Sequence, residues 1–181
     1  MKERRLNEGK GVLLFAIGLM VLASLIRFDS LDLSFYTTHP NIPPKNLLGI
    51  FGAHIGNIGI LLFGRFISIL IPVFILTLGV KYFSMDIPYI GAPRIIGMFV
   101  LMASSSSLVA LFNPHNEYFK FYRAGAIGAV LEHFVTAYFS PLGSFIIFVT
   151  LIILSLALVT EILISAFFRL IADRLQGFIF R

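Results

Sequence analysis

Hydrophobic positions in this chain come in long unbroken blocks, with polar positions confined to the stretches between them. The first block, Gly11–Ile26, follows a polar tail, Met1–Lys10. The longest runs from Asn46 to Lys81, and between Lys45 and Lys81 its sole charge is Arg65. At about 1.5 Å per helical residue that is too long for one straight crossing, which needs about 20 residues. Its halves also differ. Gly49, Gly52, Gly56, Gly59 and Gly64 stud the first, while Phe66–Val80 is almost purely aliphatic and aromatic, broken by Pro72. The pattern predicts a short glycine-faced helix over 46–63 at the outer membrane face, a bend near Gly64 and a span over 65–82. A third span is predicted over 94–112. A second short glycine-started helix over 124–138 stops at Ser140-Pro141, and a fourth span covers 142–165. Residues 166–181, with Arg169, Asp173, Arg174 and Gln176 among Phe and Leu, read as an amphipathic helix on the membrane face.

The spans are separated by polar or proline-rich connections. Arg27–Lys45 holds Asp29, Asp32, the adjacent aromatics Phe35 and Tyr36, and the prolines Pro40, Pro43 and Pro44, which exclude a helix there. Asn113–Arg123 is polar and aromatic, and Ser84–Pro93 is a tight connector. A basic tail before a short apolar run also suits a cleaved signal peptide. Leu25-Ile26-Arg27-Phe28 fits a cleavage site poorly, so the run is read as a retained anchor. Gly49-x-x-Gly52-Ala53 and Gly125-x-x-Gly128-Ala129 each open a short helix, and each then meets a phenylalanine and a glycine, Phe63-Gly64 or Phe139 and Gly143. The expected fold is thus an all-α integral membrane domain, four transmembrane helices in two parallel span–loop–short helix–span units. Lys and Arg concentrate at the tails and at Lys81 and Arg94, against Arg27, Lys45, Lys120 and Arg123 on the other face. The positive-inside rule then puts both termini in the cytoplasm.

Composition agrees with a lipid solvent. Of 181 residues, 58% are hydrophobic and 13% charged, with mean hydropathy +0.95; a membrane β-barrel would show alternation instead of continuous blocks. The net charge of +5 is accounted for by topology signals in loops and tails, so it does not point to nucleic acid. Cysteine is absent, which excludes disulfides and thiol chemistry.

Ionisable residues at membrane depth are costly and usually functional; His54, Arg65, Glu132, His133 and Glu161 are the candidates. Arg65 and Glu132 are a possible intramembrane ion pair across the two units. Glu132 and His133 are neighbours and diverge by about 100° on a helix, and no HExxH occurs, so no metal site is expected. Glu161 lies close enough to a span end to snorkel. Ser104–Ser107 lacks a nucleophile elbow and reads as close helix packing. So do Gly49, Gly52, Gly56, Gly64, Gly125 and Gly128. Asp29, Asp32, Phe35 and Tyr36 are read either as partner-binding residues or as residues that structure the loop. No G-x-x-x-x-G-K-[ST] occurs, so no P-loop nucleotide site exists here. No cofactor is expected.

Phe28-Asp29-Ser30-Leu31-Asp32-Leu33-Ser34, Asn46-Leu47-x-Gly49-x-x-Gly52-Ala53, Phe63-Gly64 before Pro72, Arg94-Ile95-Ile96-Gly97 and Ala124-Gly125-Ala126-Ile127-Gly128 occur in that order. Together they resemble the N-terminal four-span membrane domain of FtsK/SpoIIIE-type DNA translocases. The paired glycine of that pattern is Ala124-Gly125 here, and Arg65 is an unusual charge after Phe63-Gly64. The resemblance implies a bacterial inner-membrane anchor at the division septum, a homo-oligomer that contacts the lipid bilayer and other cell-division membrane proteins. DNA would be handled only by a motor following Arg181, absent from these residues, and no catalysis is expected within them. A small transporter or channel subunit is the competing class, because short entering helices and a mid-membrane charge pair suit such sites.

Overall fold

The computed structural model describes residues 2–83, 91–112 and 117–160. The connector 84–90, loop residues 113–116, Glu161 and the expected amphipathic segment 166–181 lie outside them. Five helices make up the described residues: α1 (Lys2–Ile26), α2 (Gly49–Ile67), α3 (Leu70–Phe83), α4 (Ala92–Leu111) and α5 (Glu117–Thr160). The domain is all-α, as its blocks predict.

Helix α1 begins well inside the expected polar tail, because Lys, Glu, Arg and Leu there are good helix formers and nothing separates them from the apolar run. Pro93 sits in the first turn of α4, where its missing N–H leaves no bond unmade. Two of the helices are broken. Helix α2 is interrupted at Gly64 (φ 78°, ψ 167°). Helix α5 is interrupted at Gly125 (φ 70°, ψ 176°) and Ser140 (φ 59°, ψ 168°), giving pieces 117–124, 126–139 and 141–160. Breaks therefore fall where the sequence predicts them, near Gly64 and at Ser140-Pro141.

Among the described residues, four helical stretches are long and apolar enough to cross a membrane: Arg5–Ile26, Gly49–Ile67, Ala92–Leu111 and one within Phe119–Val159. Leu70–Phe83 is apolar but shorter. Packing distinguishes it from α2. Helix α3 runs antiparallel along α1, with Gly11 against the Gly79 carbonyl and Gly18 against Leu76. Gly79 in turn lies so close to α1 that a Cβ there would stand 3.0 Å from the Phe15 amide nitrogen. Helix α2 meets the closing turn of α1 and the residues after it: Gly56 backs onto the Ser24 carbonyl and Phe28, and Gly59 onto Leu25. In the second half, Gly97 of α4 backs onto Ser155 and Leu158 of α5, and Phe112 meets Phe145 edge to face at 6.2 Å.

The two halves share a backbone plan. Positive-φ residues occur at Gly49 and Gly125 and at Gly64 and Ser140; 125 less 49 and 140 less 64 both give 76. Ser68 and Ser144, both fully buried, keep the same offset. So do Gly79 and Ser155, each the close-approach point onto the first span of its half. One expected match is corrected: the counterpart of Gly64 is Ser140, not Gly143. A break is defined by its dihedrals, and Gly143 lies after the break in the helix that follows.

Candidate functional site

The loop end of the bundle, where α1 closes and α2 begins, gathers most of the polar structure. Asp29 caps a 3-10 turn at Ser30–Asp32, its carboxylate accepting from the Leu31 N–H at 2.9 Å. Asp32 is buried and accepts from the Asn41 side-chain amide (2.8 Å) and the Lys45 N–H (2.9 Å) with one oxygen. Its other oxygen accepts from the Asn46 N–H at 2.8 Å. Burial pushes the Asp32 carboxyl up, but the Lys45 N–H, the Asn41 amide and the Asn46 N–H together hold it below the usual carboxylate value. The Leu31 N–H and Lys45 depress Asp29 likewise. Asn46 then ties the loop to α1, donating to the Ser24 carbonyl at 2.8 Å. Tyr36 donates to the side-chain amide oxygen of Asn57, on α2, at 2.9 Å. Asp29, Asp32 and Tyr36 thus fasten the loop. Phe35 differs: it is 59% exposed, stacked beside Tyr36 and 5.9 Å from the His54 ring.

Below the loop, the two halves join backbone to backbone. A Cβ on Gly64 would fall on the Arg123 carbonyl, and one on Gly125 on the Gly64 nitrogen and the Leu62 carbonyl. Glycine is required at both, for space and for dihedral. The breaks release carbonyls that a continuous helix would satisfy. Ser106 of α4 brings its one buried O–H donor between two of them, the Phe63 oxygen at 3.1 Å and the Ala124 oxygen. Gly128 in turn packs on the Ser106 backbone. The serine run of α4 therefore does pack, as its small side chains suggest, and one member also bonds across the junction. Ser107 bonds only within α4, to the Ala103 carbonyl at 2.8 Å.

The expected pair of Arg65 with Glu132 does not form. Glu132 is buried, its Oε2 in an ion pair with the Lys120 ammonium but in no hydrogen bond of ordinary geometry. In a straight helix those two residues would stand about 18 Å apart; the break at Gly125 folds 117–124 back over the segment carrying Glu132. Arg65, displaced by its own break at Gly64, instead points to the end of α1. Its Nη2 lies 3.5 Å from the Ile26 carbonyl and its guanidinium 5.9 Å from the Tyr122 ring centre. Sequence reasoning missed Lys120 and Asn57, and it read Ser106 as packing without its bond across the junction. Lys120 had no signal, because its partner depends on a fold-back that spacing alone does not reveal.

Among the described residues no group of three His, Asp or Glu side chains is placed to hold a metal. Buried loop fastenings, glycine-to-backbone contacts and one buried ion pair fix shape; none sets a nucleophile beside a base.

A family model described as the 4TM region of DNA translocase FtsK/SpoIIIE matches residues 3–172. The DNA translocase FtsK of Shewanella oneidensis is 29% identical over 147 residues, a match that takes in 78% of this chain and 16% of that protein. The chain thus spans about a sixth of the length of this relative. No solved structure matches it.

Proposed function

Because this chain belongs to the family of the 4TM region of FtsK/SpoIIIE DNA translocases, we propose that it is the membrane-anchoring, oligomerising and septum-targeting part of such a translocase. It acts in chromosome segregation and cell division, and touches DNA only through a motor that these residues do not include. The observation that carries this reading is the extent of the family match, from residue 3 to residue 172, across every apolar block. In this reading α1, α3, α4 and the last piece of α5 cross the inner membrane. Helix α2 and the middle piece of α5 cover its outer face, and both termini lie in the cytoplasm, where the Lys and Arg excess of the tails belongs. Self-association belongs to the same reading, as part of what the family resemblance implies. Phe35, exposed on a fastened loop, is the foremost candidate contact for a division protein in the same membrane.

The test is to express the chain with a fluorescent protein after Arg181 in a dividing rod-shaped bacterium. Accumulation at mid-cell in the absence of any motor domain is expected. Uniform fluorescence around the cell envelope would remove septum targeting from these residues and leave anchoring alone.

A further inference from the structure

We propose that the loop end holds a binding site for the phosphate of an anionic phospholipid headgroup. A cleft of about 460 Å³ opens there, lined by Arg27, Lys45, Arg65 and Asp29 with Ile26 and Tyr122 among its walls. Three cations face one anion, and that anion is spoken for: Asp29 is paired with Lys45 at 3.1 Å. Arg27 and Arg65 have no carboxylate partner among the described residues. Arg65 rests instead on the Tyr122 ring and the rim of the Ile26 carbonyl.

Three features point to a lipid rather than a free ion. Position is the first: Ile26 ends the apolar run of α1, so the cleft opens where hydrocarbon gives way to headgroups. Donor type is the second. Guanidinium groups present planar forks that match phosphate oxygens and shed water more readily than an ammonium. The third is the wall: Ile26 and the Tyr122 ring add apolar surface beside the cations, which a glycerol backbone covers and an inorganic ion does not. Basic pockets between membrane helices hold acidic headgroups on the cytoplasmic side, and the same attraction acts where such a pocket meets the headgroups of the other leaflet. The site needs only that α1 ends at the membrane surface, so it stands or falls apart from septum targeting.

Native mass spectrometry of the whole chain, stripped of lipid in a neutral detergent, tests the assignment. Dioleoylphosphatidylglycerol is added in parallel with dioleoylphosphatidylcholine at equal concentration. Retention of one phosphatidylglycerol with a preference of about tenfold is expected, because both lipids offer a phosphate to the paired guanidinium groups but the choline ammonium of phosphatidylcholine opposes the same cations. The preference should be unaffected by a large molar excess of inorganic phosphate. The double variant Arg27→Gln/Arg65→Gln loses the preference, Arg27→Lys/Arg65→Lys keeps part of it, and Arg5→Gln/Lys10→Gln at the far end keeps it whole. Equal retention of the two lipids by the unmodified chain overturns the proposal whatever the variants do. Displacement by phosphate, or equal loss in the far-end control, overturns it as well.

Discussion

Asp32 is the residue on which the loop end depends most. A carboxylate serves here because three donors converge on its two oxygens, and those hydrogen bonds offset the loss of water that burial imposes on the charge. Asparagine offers one acceptor oxygen in place of two, so Asp32→Asn should cost about 1–3 kcal/mol. The sign with pH follows from the depressed carboxyl. Its stabilisation is complete above the ordinary value of 3.8 and is lost as pH falls through the lower value of the folded chain. Melting curves of the unmodified chain and of Asp32→Asn should therefore differ at neutral pH, begin to approach one another near pH 3.8, and meet only below the lower value of the folded chain. Ser106 is the second such residue. Ser106→Ala removes the hydroxyl between two buried carbonyls and should cost about 1–3 kcal/mol. Ser107→Ala should cost less, because the Ala103 carbonyl that Ser107 meets lies in the same helix. Comparing the two melting temperatures in one detergent checks this.

At the scale of the elements, the breaks in α2 and α5 organise everything else. Each turns a helix that would otherwise run straight, and the turn at Gly64 lies directly on Arg123, Ala124 and Gly125, where the first piece of α5 ends. Alanine at either position meets both a backbone clash and a positive φ, so Gly64→Ala and Gly125→Ala should each abolish recovery of monodisperse protein. Ser140 tests the opposite sense. It holds φ 59° and ψ 168°, a region that L residues occupy at a cost of about 1–3 kcal/mol. Ser140→Gly should accordingly raise the melting temperature. The fold-back at Gly125 has its own reporter in the Lys120–Glu132 pair. Glu132→Gln leaves a half-buried ammonium without its counter-ion and should destabilise by about 3 kcal/mol, whereas Arg65→Gln should change stability little. A Glu132 pair with Arg65 would predict equal losses.

For the whole molecule, the consequence is two copies of one plan, joined at short helices rather than along the spans. Each first span packs on the last helical piece of its own half, α1 on α3 and α4 on the end of α5, while α2 and the middle of α5 meet at the crossing. That arrangement predicts where solvent reaches. The chain has no cysteine, so single cysteines report cleanly. Thr38→Cys, in the loop, should react with an impermeant maleimide on intact spheroplasts. Gly9→Cys, where an added side chain meets nothing within 4 Å, should react only after permeabilisation. The reverse pattern would invert the proposed orientation.

The sequence by itself determined the solvent of this chain, its helical class, its apolar blocks and the family pattern, because each depends on residue type summed over a window. Burial of backbone in lipid leaves continuous apolar stretches little choice but helix. It also located the bends near Gly64 and at Ser140-Pro141, since glycine permits a positive φ and proline excludes the preceding residue from helix. Partner choice was another matter. Only the tertiary structure decided that Glu132 meets Lys120 rather than Arg65, that Ser140 rather than Gly143 is the counterpart of Gly64, and that Asp32 faces inward while Phe35 faces out. Each depends on where a bend sends the chain, and a direction in space is carried by dihedrals that residue spacing does not encode.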